Sequence, residues 1–424
     1  MAPMFQPHAF RLLEICMFLI APMGVAATMG LVPLLVVMCL GCLVFGGGLD
    51  GLTGAFPRRY VLILSAFTIF GGLSAFWALD PFLTVTLSLR LAALCIAGLI
   101  VMRTMMNISS GHRYRLGTAL VAGVVVGLAI MLIAFVYAKM TGDSLWGEYS
   151  GNPLTPLSRG EAVLGLLFWP AALIVWRRLG WKGVLALLAT ILLTFAGMSN
   201  AAVLLSLAAG GGVFLIVLLF KRRIMIPIAA AYCVMAALAP VIIDALPDGD
   251  AMYQKAGYTY PSLVHRFYIW NFVTEKIAEK PVLGWGLDMS RKIPGKRKKL
   301  DQSYFKADLS NVSSLWNAEI MPLHPHNTAL QVWLELGVPG ALFMVWAIIL
   351  VFSGTFGGGA RPSMDALRAS TATAYLVIGA LSYGAWQNWW VAMGWIEAAL
   401  VCLCLEIDSC SDAKQTFPQS PAIN

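Results

Sequence analysis

Apolar runs of similar length repeat along almost the whole chain, separated by short polar segments and by one polar segment that is much longer. Leu, Ala, Val and Gly fill runs of roughly 20 residues, the length of α-helix that crosses a bilayer. The runs predict twelve membrane-spanning helices, at about 11–28, 31–48, 60–78, 84–102, 116–138, 161–176, 183–198, 201–220, 224–244, 328–353, 369–384 and 389–407. The fold class that this pattern indicates is an all-α polytopic membrane protein.

The long polar segment divides the chain into four parts. They are a nine-span region at 1–244, a large extramembrane loop at 245–327, three further spans at 328–407 and a polar tail at 408–424. Within the loop, the residues from Ser262 to Glu279 have helical spacing, and Pro281 ends that pattern. The loop is therefore expected to contain short helices.

Two other features of the loop have a structural and a functional interpretation. Asp248 and Asp250 have the spacing of a metal–nucleotide motif, but they follow a membrane helix rather than a strand, so a turn is favoured. Residues 296–299 form a basic run, for which a solvated or headgroup-facing surface is favoured over a phosphate site.

The composition agrees with a membrane protein. Of the 424 residues, 59% are hydrophobic and 12% are charged, whereas about a quarter of a soluble domain is charged. Seven of the eight cysteines lie inside apolar runs, which favours packing over a disulfide framework. The apolar stretch from Leu12 to Ala27 leads directly into a second one, so it is expected to be the first span rather than a cleaved signal.

The formal net charge of +8 does not indicate nucleic-acid binding, because the cations are placed as topology markers. Short cytoplasmic loops of membrane proteins carry an excess of Lys and Arg. The segments between the predicted spans alternate between the two sides of the membrane. On one side the short segments carry only Lys139 and Arg159, whereas the segments on the other side carry 15 Lys and Arg residues. These are Arg11, Arg58, Arg59, Arg103, Arg113, Arg115, Arg177, Arg178, Lys182, Lys221, Arg222, Arg223, Arg361, Arg368 and Lys414. Both termini are therefore expected in the cytoplasm and the long loop on the outer side.

A polar stripe opens the tenth predicted span. Asn327, Gln331 and Glu335 recur every four residues, so they lie on one face of the helix. Polar side chains at membrane depth are costly unless they have partners or a function. Two interpretations follow: an interfacial cap whose stripe binds neighbouring helices, or a catalytic or binding edge at the membrane surface.

Three arginines are candidates for binding an anion. Arg90 interrupts a predicted span, which marks a functional site unless a residue such as Asp80 neutralises it. Arg159 lies at the outer end of the sixth span, where an ion pair with Glu161 is the alternative. Arg266 lies among aromatic residues of the loop helix; its planar guanidinium suits phosphate, although an arginine there also snorkels or stacks.

Two histidines lie where the long loop meets the tenth span. His326 is the residue near these cations whose ordinary pKa allows proton exchange near neutrality. Pro325 holds the intervening backbone extended, so we expect His324 to point elsewhere. No third ligand at metal spacing accompanies the pair, so no metal is expected.

These residues belong to a longer pattern. Residues 324–340 read HPHNTALQVWLELGVPG, and upstream Arg266 and Trp270 are followed by PVLGWG at 281–286. Many spans, one large loop late in the chain and then a His-Asn motif opening the next helix resemble the O-antigen ligase and O-antigen polymerase superfamily. The resemblance is specific over about 183–353 and rests on topology elsewhere.

The resemblance implies a glycosyltransferase of the bacterial inner membrane, without cofactor or metal. The implied substrates are an undecaprenyl-pyrophosphate-linked glycan and an acceptor hydroxyl at the periplasmic membrane face, with membrane lipids as further partners. The acceptor is the lipid A core for a ligase and a second lipid-linked glycan for a polymerase. A ligase is favoured because the compact loop leaves little room for acceptor-binding domains. A non-catalytic transporter or flippase for lipid-linked sugars is the alternative from another class.

The resemblance also implies roles for individual residues. The catalytic set is His326 as general base, Arg266, Asn327 and Glu335. The substrate-binding set is Arg159, Arg90, His324, Gln331 and Trp270.

One position departs from the family pattern. The family usually has a Ser-Arg pair at the outer turn after the span predicted at 183–198, where this chain has Ser199 and Asn200. Arg159 or Arg90 is the candidate to supply the missing charge.

The charge asymmetry predicts which loops an impermeant thiol reagent reaches in intact spheroplasts. In a background without native cysteines, Lys298→Cys should be labelled and Arg222→Cys should not, because only the long loop is expected outside. Both variants should be labelled after the membrane is permeabilised. Labelling at position 222 but not at 298 in intact spheroplasts would reverse the orientation.

Overall fold

The structure, a computed structural model, describes residues 7–45, 58–146, 152–198, 200–256, 259–300, 315, 318–353 and 362–404. In these residues every regular element is a helix, and one isolated β-bridge joins Lys299 and Glu319. The helices are α1 (Pro7–Ala26), α2 (Leu31–Phe45), α3 (Arg58–Leu73), α4 (Pro81–Asn107), α5 (Ser110–Thr141), α6 (Ser158–Phe195), α7 (Ala201–Phe220), α8 (Met225–Ala237), α9 (Ala239–Asp244), α10 (Gly249–Ala256), α11 (Pro261–Glu279), α12 (Thr328–Phe352), α13 (Pro362–Leu381) and α14 (Asn388–Cys404).

Six helical segments within the described residues are long and apolar enough to cross a membrane. They are Arg59–Phe76, Pro81–Asn107, Ser110–Thr141, Thr155–Phe195, Ala201–Ala237 and Thr328–Phe352. Two shorter apolar helices are Thr28–Val44 and Asn388–Cys404. The protein is thus a helical membrane protein, as predicted, whereas the total of twelve spans stays a prediction. The division into four parts also stays a prediction, and its tail lies outside the described residues.

The boundaries of three predicted spans differ from the observed helices for local backbone reasons. The spans predicted at 161–176 and 183–198 are two halves of α6, which bends at Gly180, where φ is 66°. The span predicted at 224–244 is divided into α8 and α9. Pro240 has no backbone N–H to continue the helical hydrogen bonds, which explains that division.

The main apolar core lies inside the bundle, where α1 packs on α5 and α7 on α13. At its edge the Arg113 side chain is only 1% exposed. Its guanidinium donates to the carbonyls of Met106 (2.6 Å), Ile108 (2.8 Å), Cys402 (3.0 Å) and Leu403 (2.9 Å). The last carbonyls of a helix have no partner within it, so Arg113 satisfies the ends of α4 and α14 together. This residue, which the charge pattern assigned to a short loop, therefore joins two helices.

The long loop forms a second apolar core over the start of α12. α11 confirms the helix predicted from Ser262 to Glu279. The buried side chains of this core include Val264, Phe267, Trp270, Val273, Leu330 and Leu334. At the start of the loop, Asp248 Oδ1 accepts from Ala251 N at 2.7 Å and Asp250 Oδ1 accepts from the Tyr268 hydroxyl at 2.9 Å. The two aspartates thus start and anchor α10, which agrees with the turn interpretation.

The helix α12 is broken at Gly337, and the loop supplies the hydrogen bonds that the break removes. Pro339 has no N–H to donate to the Glu335 carbonyl, which instead accepts from Gly286 N at 2.8 Å. The Leu334 carbonyl accepts from Trp285 N at 2.9 Å, and the Val338 N–H donates to the Val282 carbonyl at 3.0 Å. The motifs PVLGWG and ELGVPG are therefore two sides of one backbone contact. Unpaired backbone groups at membrane depth cost several kcal/mol each, so this contact fixes the loop on the helix.

Gly337→Ala should destabilise this contact. Gly337 has a φ of 57°, and a Cβ there would lie 2.3 Å from the Val282 carbonyl oxygen. The backbone strain and the steric clash together predict a loss of about 2 kcal/mol or more in the free energy of unfolding. This loss would be measured as a lower thermal unfolding midpoint in detergent. Gly211 lies inside α7, and a Cβ added to it would meet open space, so Gly211→Ala is the control and should be neutral or stabilising. Equal midpoints for the two variants would contradict the close contact.

Candidate active site

The carboxylate of Glu335 lies at the centre of the region where α12, the loop and the α13–α14 connection meet. It is fully buried. Oε2 accepts from Asp288 N and from the Trp386 indole N–H, both at 2.6 Å. Oε1 accepts from the Gln331 amide at 3.0 Å, from Ser290 N at 3.3 Å and from the Ser290 hydroxyl. All five donors are neutral groups from three separate segments, so this carboxylate joins those segments.

The other two members of the polar stripe also have partners. Asn327 Oδ1 accepts from Leu330 N at 3.0 Å, so it caps the N-terminus of α12. Gln331 accepts from Ala385 N at 2.8 Å while it donates to Glu335. The stripe therefore has the structural partners that the first interpretation expected, and it brings the α13–α14 connection against the start of α12.

His326 lies directly before α12 with a left-handed backbone, φ 54°. Its Nδ1 is 2.6 Å from the carbonyl oxygen of Ser382. A carbonyl oxygen only accepts, so Nδ1 carries the proton and the neutral ring presents its lone pair at Nε2. This is the tautomer that a general base with a fixed orientation requires.

His324 does not point away from His326, so that expectation is wrong. The two ring centroids are 4.3 Å apart, and His326 N donates to His324 Nδ1 at 3.2 Å. The backbone at His326 is left-handed, and the chain turns there. The Pro325 carbonyl accepts from the Trp270 indole N–H at 3.0 Å, so the buried Trp270 anchors this segment to α11.

Burial keeps both imidazoles neutral. It lowers the pKa of His324 to about 3, and the neighbouring ring of His326 and the charge of Arg291 act in the same direction. Burial also lowers the pKa of His326; the hydrogen bond to Ser382 opposes this shift, whereas the charge of Arg266 and the neighbouring ring of His265 add to it. His326 is therefore in its basic form at neutral pH.

Two of the predicted arginines lie around Tyr383, in the connection between α13 and α14. Burial lowers the pKa of Arg266, and Tyr383 opposes that shift. Burial raises the pKa of the Tyr383 phenol, and the charge of Arg159 acts against it. Neither Arg266 nor Arg159 forms an ion pair or hydrogen bond with any residue that the structure describes. In particular, Arg159 forms no ion pair with Glu161, which was the alternative to anion binding by this arginine.

Asn200, where the family usually has arginine, lies beside Arg159. The Asn200 amide donates to the Ser158 carbonyl at 3.1 Å, and the Tyr383 hydroxyl donates to the same oxygen at 2.9 Å. Ser158 directly precedes Arg159. The other half of the Ser-Arg position, Ser199, lies outside the described residues.

Arg90 has a different neighbourhood. Its charge acts on Asp288, whose pKa is raised by burial and lowered by Arg291 and Arg90. Asp80 does not neutralise Arg90: it caps α4 through Leu83 N at 3.2 Å and lies 3.6 Å from Lys292 Nζ. Arg90 and Arg291 therefore interact with the loop residue Asp288, whose backbone N–H donates to Glu335.

The basic run at 296–299 is mostly solvated, as the surface interpretation expected, but its first residue is buried. Lys296 is 6% exposed, and its Nζ donates to the carbonyls of Met321 (3.2 Å) and Pro322. The other three residues are exposed. Lys296 thus holds the chain that leads into His324.

Sequence reasoning missed the segment 382–387, which supplies partners to most of the site. Ser382 binds His326, Tyr383 interacts electrostatically with Arg266 and Arg159, and Trp386 binds Glu335. The Gln387 amide nitrogen lies 3.0 Å from His324 Nε2. The sequence here reads SYGAWQ, and its polar groups between two apolar helices were the available signal.

The site of this helical membrane protein is built around the buried carboxylate of Glu335, here called the hub. It also contains the oriented His326 and two arginines, Arg266 and Arg159, without a partner among the described residues. The O-antigen ligase family model matches residues 184–345, which contain all of the hub except the Trp386 side. The chain is 30% identical over 289 residues to a putative polysaccharide ligase of Rickettsia conorii, covering 67% of this chain and 66% of that protein. It is 27% identical over 337 residues to a putative polysaccharide ligase of Rickettsia felis, covering 78% and 77%. It is 25% identical over 309 residues to the exopolysaccharide production protein ExoQ of Rhizobium meliloti, covering 69% and 65%.

The chain is similar to the O-antigen ligase family, as the motifs predicted. The matched part spans slightly less than two thirds of the R. conorii protein.

Glu335→Gln should release the loop and the α13–α14 connection. Both carboxylate oxygens accept hydrogen bonds, so the NH₂ group of glutamine would face donors on one side. Losing those bonds in a buried site predicts a cost of about 1–3 kcal/mol, seen as a lower unfolding midpoint and faster proteolysis of the loop. Glu279→Gln is the control, because its carboxylate is 47% exposed and pairs with Lys276 at the surface. Unchanged proteolysis in Glu335→Gln would contradict the role as a hub.

Proposed function

We propose that this protein transfers a glycan from an undecaprenyl-pyrophosphate carrier to an acceptor hydroxyl at the membrane surface. The observation that carries the proposal is the pairing of an oriented neutral base, His326, with two arginines that have no anionic partner among the described residues. A transferase needs a base for the acceptor and fixed positive charge for the leaving group. The names of the Rickettsia relatives support a polysaccharide ligase.

The reaction uses Nε2 of His326. Nε2 takes the proton of the acceptor hydroxyl while the oxygen attacks the anomeric carbon of the donor sugar. The bond from that carbon to the pyrophosphate oxygen breaks, and its electron pair leaves with the pyrophosphate. The Ser382 carbonyl, already bonded to Nδ1–H, stabilises the imidazolium that forms. General-base catalysis of this kind contributes about 10²–10⁴-fold.

The leaving pyrophosphate lies between Arg266 and Arg159 in this proposal. Both guanidiniums interact electrostatically with Tyr383, which follows Ser382, the hydrogen-bond partner of His326. A guanidinium grips phosphate with two parallel donors, and that of Arg266 stays charged although burial lowers its pKa. Arg159 then supplies the charge that the family has at the position of Asn200.

The substrates and orientation follow the family expectation. The acceptor is a sugar of the lipid A core, the active site faces the periplasm, and both termini lie in the cytoplasm. The transfer requires no metal, because the base and the positive charge come from side chains. A repeat-unit polymerase is the second candidate, supported by the similarity to an exopolysaccharide production protein.

Deleting the gene separates the two candidates. A ligase mutant loses the whole lipopolysaccharide ladder on a gel and accumulates carrier-linked polymer. A polymerase mutant retains lipopolysaccharide capped with one repeat unit. An unchanged ladder would contradict both candidates.

His326→Ala should lose about 10²-fold or more of turnover while the lipid-linked donor still binds. In the wild-type protein, the acidic limb of the pH–rate profile should fall below pH 6.5. Burial lowers the pKa of His326, so the basic form persists to lower pH than in a free imidazole. The measurement is turnover of purified protein with donor and acceptor, with and without EDTA.

His324→Ala is the matched control, and it should lose less because its ring takes no proton from the acceptor. Near wild-type turnover in His326→Ala, or activity that EDTA abolishes and a divalent ion restores, would contradict the mechanism.

Arg159→Ala should lose about tenfold or more of turnover, and Asn200→Arg should restore part of it. The reason is that Asn200 donates a hydrogen bond to the carbonyl of Ser158, the residue directly before Arg159. An arginine at position 200 therefore reaches the same region as Arg159. Arg90→Ala is the comparison, because Arg90 lies near Asp288 and Asn200→Arg should not rescue it. If both alanine variants are folded and fully active, neither Arg159 nor Arg90 replaces the arginine that is absent at position 200.

A further inference from the structure

A cavity lies beside the half of α12 that is remote from His326. It has a volume of about 400 Å³ and lies between α4, α12, α13 and α14. On α12 its wall starts at Met344, 16 residues after Thr328, which is about 24 Å along the helix. The volume is that of a small-molecule site. The described residues that line it include none of those assigned to the proposed transfer.

The walls are almost entirely apolar. Hydrocarbon and aromatic side chains from all four helices line them, including Met102, Ile348, Leu376, Val391, Trp395 and Val401. The polar exceptions among the described lining residues are Arg368, Thr371, Tyr375 and Glu397. The Tyr375 hydroxyl is already used, because it donates to the Trp390 carbonyl at 3.2 Å. A ligand for this cavity must therefore be mainly hydrocarbon.

The other three polar side chains present atoms without partners. Glu397 is 3% exposed and Thr371 is 5% exposed. Both carboxyl oxygens of Glu397, the Thr371 hydroxyl and Arg368 Nε form no hydrogen bond with the described part of the protein. A buried polar group left unpaired costs about 1–3 kcal/mol, so several around one cavity indicate a ligand that satisfies them.

The charges select a neutral headgroup. Arg368 already pairs with Asp365, with Nη2 2.7 Å from Oδ1, so its positive charge is not free to bind an anion in the cavity. A cation would place one more charge in a site surrounded by hydrocarbon, which is costly at membrane depth. A hydroxyl group both donates and accepts, as Glu397 and Thr371 require.

We propose that this cavity binds a neutral amphiphile from the membrane, a long-chain alcohol or acylglycerol. Its hydrocarbon chain lies against the apolar wall, and its hydroxyl group is hydrogen-bonded to Glu397 and Thr371.

Photolabelling of the purified full-length protein in detergent tests this site. The probe is hexadecanol with a diazirine in its chain, compared with the fatty acid and the amine that carry the same diazirine. The alcohol should label residues 344–352 and 391–401 about tenfold more strongly than the other two, as one hydrogen bond in a buried site would give. Stronger labelling by the acid would assign an anion to Arg368, and stronger labelling by the amine would assign a cation to Glu397. Either result overturns the proposal.

Variants locate the probe. Glu397→Leu should lower labelling by the alcohol about tenfold and Glu397→Gln should retain most of it, because only the glutamine keeps hydrogen-bonding groups. Ala398→Trp should abolish labelling by filling the cavity, whereas Ala230→Trp, at an exposed position of α8, should not change it. Labelling that survives in Ala398→Trp would show binding to the outer surface of the bundle only and would overturn the proposal. Excess unlabelled hexadecanol must also displace the probe from the wild-type protein, and this measurement does not depend on any variant folding.

Discussion

The functional end of this protein depends on a carboxylate that is buried at the start of a membrane helix and surrounded by neutral donors. Glu335 accepts two backbone N–H groups, a hydroxyl, an amide and an indole. A buried polar group that loses its hydrogen-bond partner costs about 1–3 kcal/mol. Because the donors come from the loop, from α12 and from the α13–α14 connection, this one side chain sets their relative positions.

The broken backbone of α12 makes the same three-way contact necessary. A helix interrupted by Gly337 and Pro339 leaves carbonyls that water cannot satisfy at membrane depth. The backbone of residues 282–286 supplies those hydrogen bonds, so the loop is part of the helix rather than a cover over it. A polar, irregular segment is thereby held against a membrane helix without exposing its backbone to lipid.

The charged groups of the proposed active site are placed by this frame. Ser382 and Tyr383 belong to the same connection that gives Trp386 to Glu335, so the orientation of His326 and the neighbourhood of Arg266 and Arg159 depend on the hub. The proposed active site and the apolar cavity also occupy different parts of the bundle. Arginines without an anionic partner in the described part of the chain lie near His326, whereas an apolar cavity lined by a few unpaired polar groups lies beside the second half of α12.

The sequence by itself determined the helical membrane fold, the loop helix α11, the stripe on α12 and the position of His326 at its start. Each of these depends on spacing within one segment, and hydrophobic periodicity and Pro or Gly breaks report that spacing directly. The tertiary structure alone decided that His324 faces His326, that Lys296 is buried, that Asp80 pairs with Lys292 and that Asn200 lies beside Arg159. It also decided that Glu335 binds Trp386, 51 residues later. Such partners are chosen by how helices pack across long sequence separations, and no local pattern of hydrophobic and polar residues encodes that choice.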